Sequence, residues 1–158
     1  MQNIILPIGT SGSEKSTWIK SFIKNTNEYI VISPDEMRIE FTGNINDKSK
    51  DDLIYEIINI IVPNIIWKQK KSVIIDATNL QKERRRNFIN KMNFLFPNIC
   101  IKYKLFELNP ELAKSRIKND IESGIKRANV SDATIERHAL LYKEMLNDIL
   151  EEPITELK

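Results

Sequence analysis

A chain of 158 residues with 41% hydrophobic content is long enough to bury a proper core, and its size predicts a single domain over residues 1–158. Its net charge of +2 and pI near 8.6 are mildly basic, which is compatible with a nucleic-acid partner without demanding one. The lone Cys100 excludes an intramolecular disulfide, and the longest apolar stretch, 53–67, is interrupted by Glu56, Asn59, Pro63 and Asn64, which excludes a bilayer span. A reducing, cytoplasmic setting is the expectation (the host cytoplasm for a phage-encoded chain), with no membrane partner. The first apolar run, 4–8, is too short for a secretion signal.

Short apolar runs alternate with longer helical patterns, the signature of a parallel sheet covered on both faces. The pattern predicts a strand over 3–8, a helix over 17–25 and a β-branched strand over 29–33. Pro34 then opens a polar helix carrying Asp35 and Arg38. A mobile polar connection, 43–50, leads to an amphipathic helix over 51–68, bent or broken at Pro63. Strand 72–76 and helix 81–96 follow, then a fourth strand within 98–108. Pro110 suits the first turn of a helix over 110–122. A basic loop, 124–130, and a closing helix, 132–150, complete the chain. Cys100, Trp18 and Trp67 are expected in the core, and His138 at the surface.

The segment IILPIGTSGSEKSTWIK reads as a strand, a phosphate-binding loop and a helix. Gly9, Gly12, Lys15 and Ser16 fit the Walker A spacing G-x-x-x-x-G-K-[ST], except that Glu14 stands where the glycine before the lysine is expected. In such a loop the backbone of Gly9, Thr10, Ser11, Gly12 and Ser13 turns N–H groups toward phosphates, while Thr17 enters the helix whose positive end faces the same anion. Lys15 would reach the terminal phosphates, and the Ser16 hydroxyl would ligate Mg²⁺. Glu14 is expected to add negative charge and bulk beside them.

Further candidates fall at strand ends. Asp76 closes SVIID, with Thr78 and Asn79 just beyond, where ligand groups of open parallel sheets gather. It is placed like a carboxylate supporting Mg²⁺, or else like a simple helix cap. Asp35 and Arg38 share a helical face, either as a base with a phosphate clamp or as a plain surface ion pair. The run QKERRR offers one arginine to the site, Arg84, and leaves Arg85 and Arg86 solvated. The basic stretch 114–131, with Arg116, Lys118, Lys126, Arg127 and a breaking Gly124, is a candidate lid or a solvated helix face.

Together these segments resemble the 5′-polynucleotide kinase family of nucleic-acid end repair. SPDEMR is similar to its D-x-x-R motif, VIIDATNL with ERRR to its D-x-T-N strand end, and IKRANVSDATIERH to its lid arginine and following helix, with Ser131 in place of a proline. The resemblance implies a P-loop NTPase-like α/β three-layer sandwich, with a central four-stranded parallel sheet and a C-terminal lid. It implies transfer of the ATP γ-phosphate, with Mg²⁺, to 5′-OH ends of DNA or RNA. Asp35 would be the base, Arg38 the acceptor clamp, Arg127 or Arg116 the lid cation, and Thr78, Asn79 and Arg84 acceptor contacts. A small-molecule or toxin-type kinase, and an end-binding protein impaired by Glu14, remain the alternatives.

Overall fold

The computed structural model describes residues 2–157. Four strands, β1 (Asn3–Ile8), β2 (Tyr29–Ile32), β3 (Ser72–Ile75) and β4 (Cys100–Leu105), are joined by β5 (Thr155–Glu156) in one parallel sheet of order β2-β3-β1-β4-β5. The sheet therefore has five strands rather than the expected four. A two-residue strand has no periodicity to read; β5 forms because Leu157 N–H donates to Tyr103 O (2.7 Å) at the β4 edge.

Alternation along β1 divides the core. Ile4 and Leu6 point to one face with Val73 and Ile75, against Ile54, Ile58 and Val62 of α3 (Asp51–Asn64) and Ile89 and Met92 of α4 (Lys82–Leu95). Ile5 and Ile74 point to the other face, against Ile19 of α1 (Lys15–Ile23). The helices after β1 and β3 thus leave on opposite faces. That divergence opens a crevice at the carboxyl ends of two adjacent strands, where open α/β sheets bind ligands. Helix α2 (Pro34–Thr42) follows β2. Helices α5 (Pro110–Glu122) and α6 (Asp132–Asp148) pack a small core of their own through Ala113, Ile117 and Ile135.

Several expectations are corrected. Helix α1 begins at Lys15, two residues early. Helix α3 passes through Pro63 unbroken and continues as a π-helical turn, Ile65–Gln69. Proline removes one ladder N–H, and the wider turn absorbs the mismatch. That turn buries Ile65 and Ile66 but leaves Trp67 70% exposed, outside the core. Cys100 is only half-buried. The connection 43–50 is tied down, since Ile45 O accepts from Arg38 and Asn46 Oδ1 accepts from Asn129 N–H (2.8 Å). No described helix is long and apolar enough to cross a membrane.

Candidate active site

Residues 9–14 wrap the N-terminus of α1. Gly9 N–H donates to Thr78 O (3.2 Å), so the loop is tied to the end of β3. A Cβ on Gly9 would lie 2.6 Å from Ser13 Oγ, and one on Gly12, where φ is +77°, would lie 2.7 Å from Ala113 O. The loop therefore has no room for side chains at either glycine. Lys15 is buried and folds back, donating to Thr10 O (2.6 Å), Gly9 O (3.1 Å) and Ser13 Oγ (3.3 Å). Burial lowers its pKa to about 8; Asp76 and Asp35 pull the other way, while Arg127 adds to the depression.

Glu14 shows why glycine is expected at its position: its φ is +67°, the left-handed region that a side chain disfavours. Its carboxylate turns outward and lies 3.3 Å from Arg116 Nη2, while Arg116 Nη1 donates to Gly12 O (3.2 Å). The negative charge expected beside the phosphates is thus partly balanced by Arg116. The acid also ties the loop to α5.

Asp76 stands just past β3, near enough to the Ser16 hydroxyl for it to act on the carboxylate. Burial raises its pKa, opposed by Ser16 and Lys15, with Asp35 adding to the rise. One hydroxyl and one carboxylate suit Mg²⁺, which keeps most of its waters and takes its remaining ligands from phosphate. Thr10 Oγ1 and Arg127 Nε are both buried without a hydrogen-bond partner, and with the free N–H groups of α1 they fit a polyphosphate. Ser16 and Thr17 are themselves exposed on the first turn.

On the β2 side, Ser33 caps α2 by accepting from Glu36 N–H, which sets Asp35 and Arg38 one turn apart. Arg38 is buried and donates to Asp35 Oδ1 (2.6 Å), Asp51 Oδ1 (2.8 Å) and Asp51 Oδ2 (3.2 Å). Although burial lowers its pKa, the two carboxylates raise it on balance. The Asp35 side chain is 52% exposed and lies close enough to Lys15 and Asp76 to act on both electrostatically. This is more than a surface pair. Asp51, at the start of α3, went unread because only helix packing brings it to Arg38; its place in the first turn of an amphipathic helix was the available signal.

Among the remaining expectations, Asn79, expected as an acceptor contact, also clamps the loop beside β1 and β3. Held at φ +52°, it spends its Nδ2 on Pro7 O (2.7 Å), Ile75 O (3.1 Å) and Ala77 O (3.2 Å). Arg84 lies over the Tyr55 ring, 3.8 Å from its centroid. Arg85 is not solvated; it is buried against Glu152 and donates to Asn79 O and Leu80 O. Arg86 is partly exposed beside Glu151 and Glu152. Arg127 pairs with Asp120 (2.5 Å) yet still acts on Lys15. His138 is not a surface residue. Its Nδ1 accepts from Ser11 N–H (3.4 Å), and burial, with repulsion from Lys15, Lys48 and Arg137, lowers its pKa to about 4.

A five-stranded parallel sheet with a phosphate loop at its switch point defines a P-loop, kinase-like, nucleotide-binding protein. The sequence matches the family described as an AAA domain over residues 4–144, and the chain belongs to that family. No curated protein matches it. Its fold is shared with a chain of the Pnkp1/Rnl/Hen1 RNA repair complex, at a TM-score of 0.73 and 21% identity over 93% of this chain and 46% of that one. The present chain therefore spans about half the length of that relative. A candidate kinase of Chloroflexus aurantiacus gives a TM-score of 0.69 at 12% identity, over 87% of this chain and 78% of that one. A protein of the PezAT toxin-antitoxin system of Streptococcus pneumoniae gives 0.69 at 16%, over 99% and 68%.

Proposed function

We propose that the chain is a polynucleotide 5′-hydroxyl kinase that moves the γ-phosphoryl group of ATP to the 5′-OH end of DNA or RNA. The observation that carries this is one arrangement: the half-open Asp35 carboxylate, paired with an Arg38 that Asp51 holds from its other side, within electrostatic reach of Lys15 and Asp76. In this reading the 5′ oxygen attacks the γ-phosphorus, its proton passes to Asp35, and the bond from phosphorus to the ADP oxygen breaks. Arg38 holds Asp35 toward the acceptor and offers its fork to the adjacent phosphodiester. Lys15 leaves its carbonyl partners for the β/γ-phosphates, and Arg116 and Arg127 balance charge on the transferred group. Held by Ser16 and Asp76, Mg²⁺ would supply charge neutralisation at the phosphates.

The test is transfer of labelled γ-phosphate to 5′-OH oligonucleotides. Transfer with an acceptor KM that rises steeply with salt is expected, because phosphate contacts release counterions. Absence of transfer to both DNA and RNA ends overturns the reading. The likeness in fold to a toxin-antitoxin protein over 99% of this chain supports a small-molecule or toxin-type kinase as the second reading. For these, salt would have little effect on KM.

A further inference from the structure

The phosphate loop is tied to the rest of the fold from outside. Gly9 N–H is held by Thr78 O at the end of β3, and Gly12 O accepts from Arg116 Nη1 on α5 (3.2 Å). Between these ties, Ser11 N–H donates to Nδ1 of His138 on α6 (3.4 Å). Helices α5 and α6 are joined through Ala113, Ile117 and Ile135. His138 follows Ile135 by three residues, so it leaves α6 near the face that packs on α5. Two bonds of opposite polarity, on neighbouring residues of the loop, thus reach one helix pair.

The His138 contact alone depends on a protonation state. An imidazole accepts at Nδ1 only while its proton sits on Nε2, and it loses that capacity when charged. The surroundings keep it neutral. His138 is half-buried, and the charges that act on it are all cations: Lys15 from α1, Lys48 from the 43–50 connection and Arg137 from α6 itself. Burial and this repulsion lower its pKa to about 4. A histidine that merely filled the α5–α6 core would have no need of the loop. This one places its bond four residues before Lys15, in the stretch whose N–H groups turn toward phosphate, so the path of the chain at Ser11 sets the direction of the N–H groups that follow.

We infer that His138 is a positioning residue for the donor nucleotide: its Nδ1 fixes the Ser11 peptide and so keeps the loop in the curve that receives the phosphates. It acts through the loop rather than on the phosphates. The inference rests on the ATP-binding part of the kinase reading and not on the acceptor.

His138 is the only histidine of the chain, so isotope-labelled protein gives a single imidazole to follow by NMR. In the nucleotide-free protein at pH 5 it is expected neutral, with its proton on Nε2, where an exposed histidine titrating near about 6.5 would be mostly charged. A charged imidazole at pH 5, or a neutral one with its proton on Nδ1, overturns the inference and needs no variant that fails to fold. Calorimetric binding of ATP then reads the role itself. His138→Leu should weaken ATP binding about fivefold, the scale of one hydrogen bond, whereas His138→Asn, whose Oδ1 falls where Nδ1 stood, should stay within about twofold of the unaltered protein. Equal losses in the two variants, or a loss in neither, overturn the inference, because packing alone does not distinguish an acceptor from a methyl group. ATP binding with the expected pattern but no transfer to any 5′-OH end retains the role of His138 and removes the kinase. Transfer with equal losses removes only the role of His138, and a protein that binds no ATP overturns both.

Discussion

Arg38 and Arg85 each stand in the first two turns of a helix, and each is buried against carboxylate, yet they do opposite things. Arg85 and Glu152 are sealed, with side chains 1% and 2% exposed, and the remaining Arg85 donor capacity goes to the carbonyls of Asn79 and Leu80. Every group is satisfied and nothing faces a ligand. Arg38 is equally enclosed, but its partner Asp35 is half in solvent and shares a field with Lys15 and Asp76. A closed pair fixes a loop; an open one leaves a carboxylate free to act. The difference lies in what covers the acid, not in the arginine.

That contrast can be broken at several points. Asp35→Asn should reduce phosphoryl transfer to a 5′-OH end by roughly 10²–10⁴-fold, the range for losing a general base. Because Asp35 is half exposed, thermal unfolding should shift by no more than about 0.5 kcal/mol. Arg85→Met should do the reverse. Glu152 then stays buried with only the longer Arg86 contact (3.4 Å), which costs up to about 3–5 kcal/mol, seen as a lowered denaturation midpoint. The double change Arg85→Met with Glu152→Met should regain most of that loss, since an apolar pair of similar volume is tolerated where a single buried charge is not. If the single and double variants lose equally, the pair is not the closed clamp described here.

Lys15 sharpens the comparison through pH. Its folded pKa of about 8 lies below the value of about 10.4 for an unfolded lysine. Below pH 8 both states carry the proton and the folded state bears the full cost of the buried charge. Between about pH 8 and 10 the unfolded chain binds more protons, so this group makes stability rise with pH. ATP binding runs the other way, because the triphosphate needs the ammonium. Titration calorimetry at pH 7 and pH 9 should find weaker ATP affinity at pH 9, by up to about tenfold.

The smallest effect expected is at Glu14. Glu14→Gly removes a side chain from a left-handed position and also the ion pair with Arg116, which is exposed enough to contribute about 0–1 kcal/mol. Relief of about 1 kcal/mol of backbone strain is offset by the greater freedom of glycine in the unfolded chain. The net change in stability should be within about 1 kcal/mol by chemical denaturation. ATP affinity should change by less than about tenfold, since Arg116 already balances part of the carboxylate's charge.

Much of the site was legible because its parts are local. The phosphate loop is a run of neighbours whose glycines mark where a Cβ cannot fit, and Asp35 and Arg38 are one helical turn apart. Asp76 follows from the strand end that carries it. Asp51 and His138 were not legible, because each reaches its partner, Arg38 and the Ser11 N–H, only through packing of helices far apart in sequence. Arg85 was misread as solvated for the same reason. Three consecutive arginines look alike until Glu152, 67 residues away, selects one of them.

By itself, then, the sequence determined the alternation of strands and helices, the parallel sheet and the turn that holds phosphate, since these follow from short-range periodicity and backbone sterics. Tertiary structure alone decided which charges are enclosed and that Glu14 pairs with Arg116. Burial and dielectric depend on every element that covers a group, and no window of neighbouring residues contains that information.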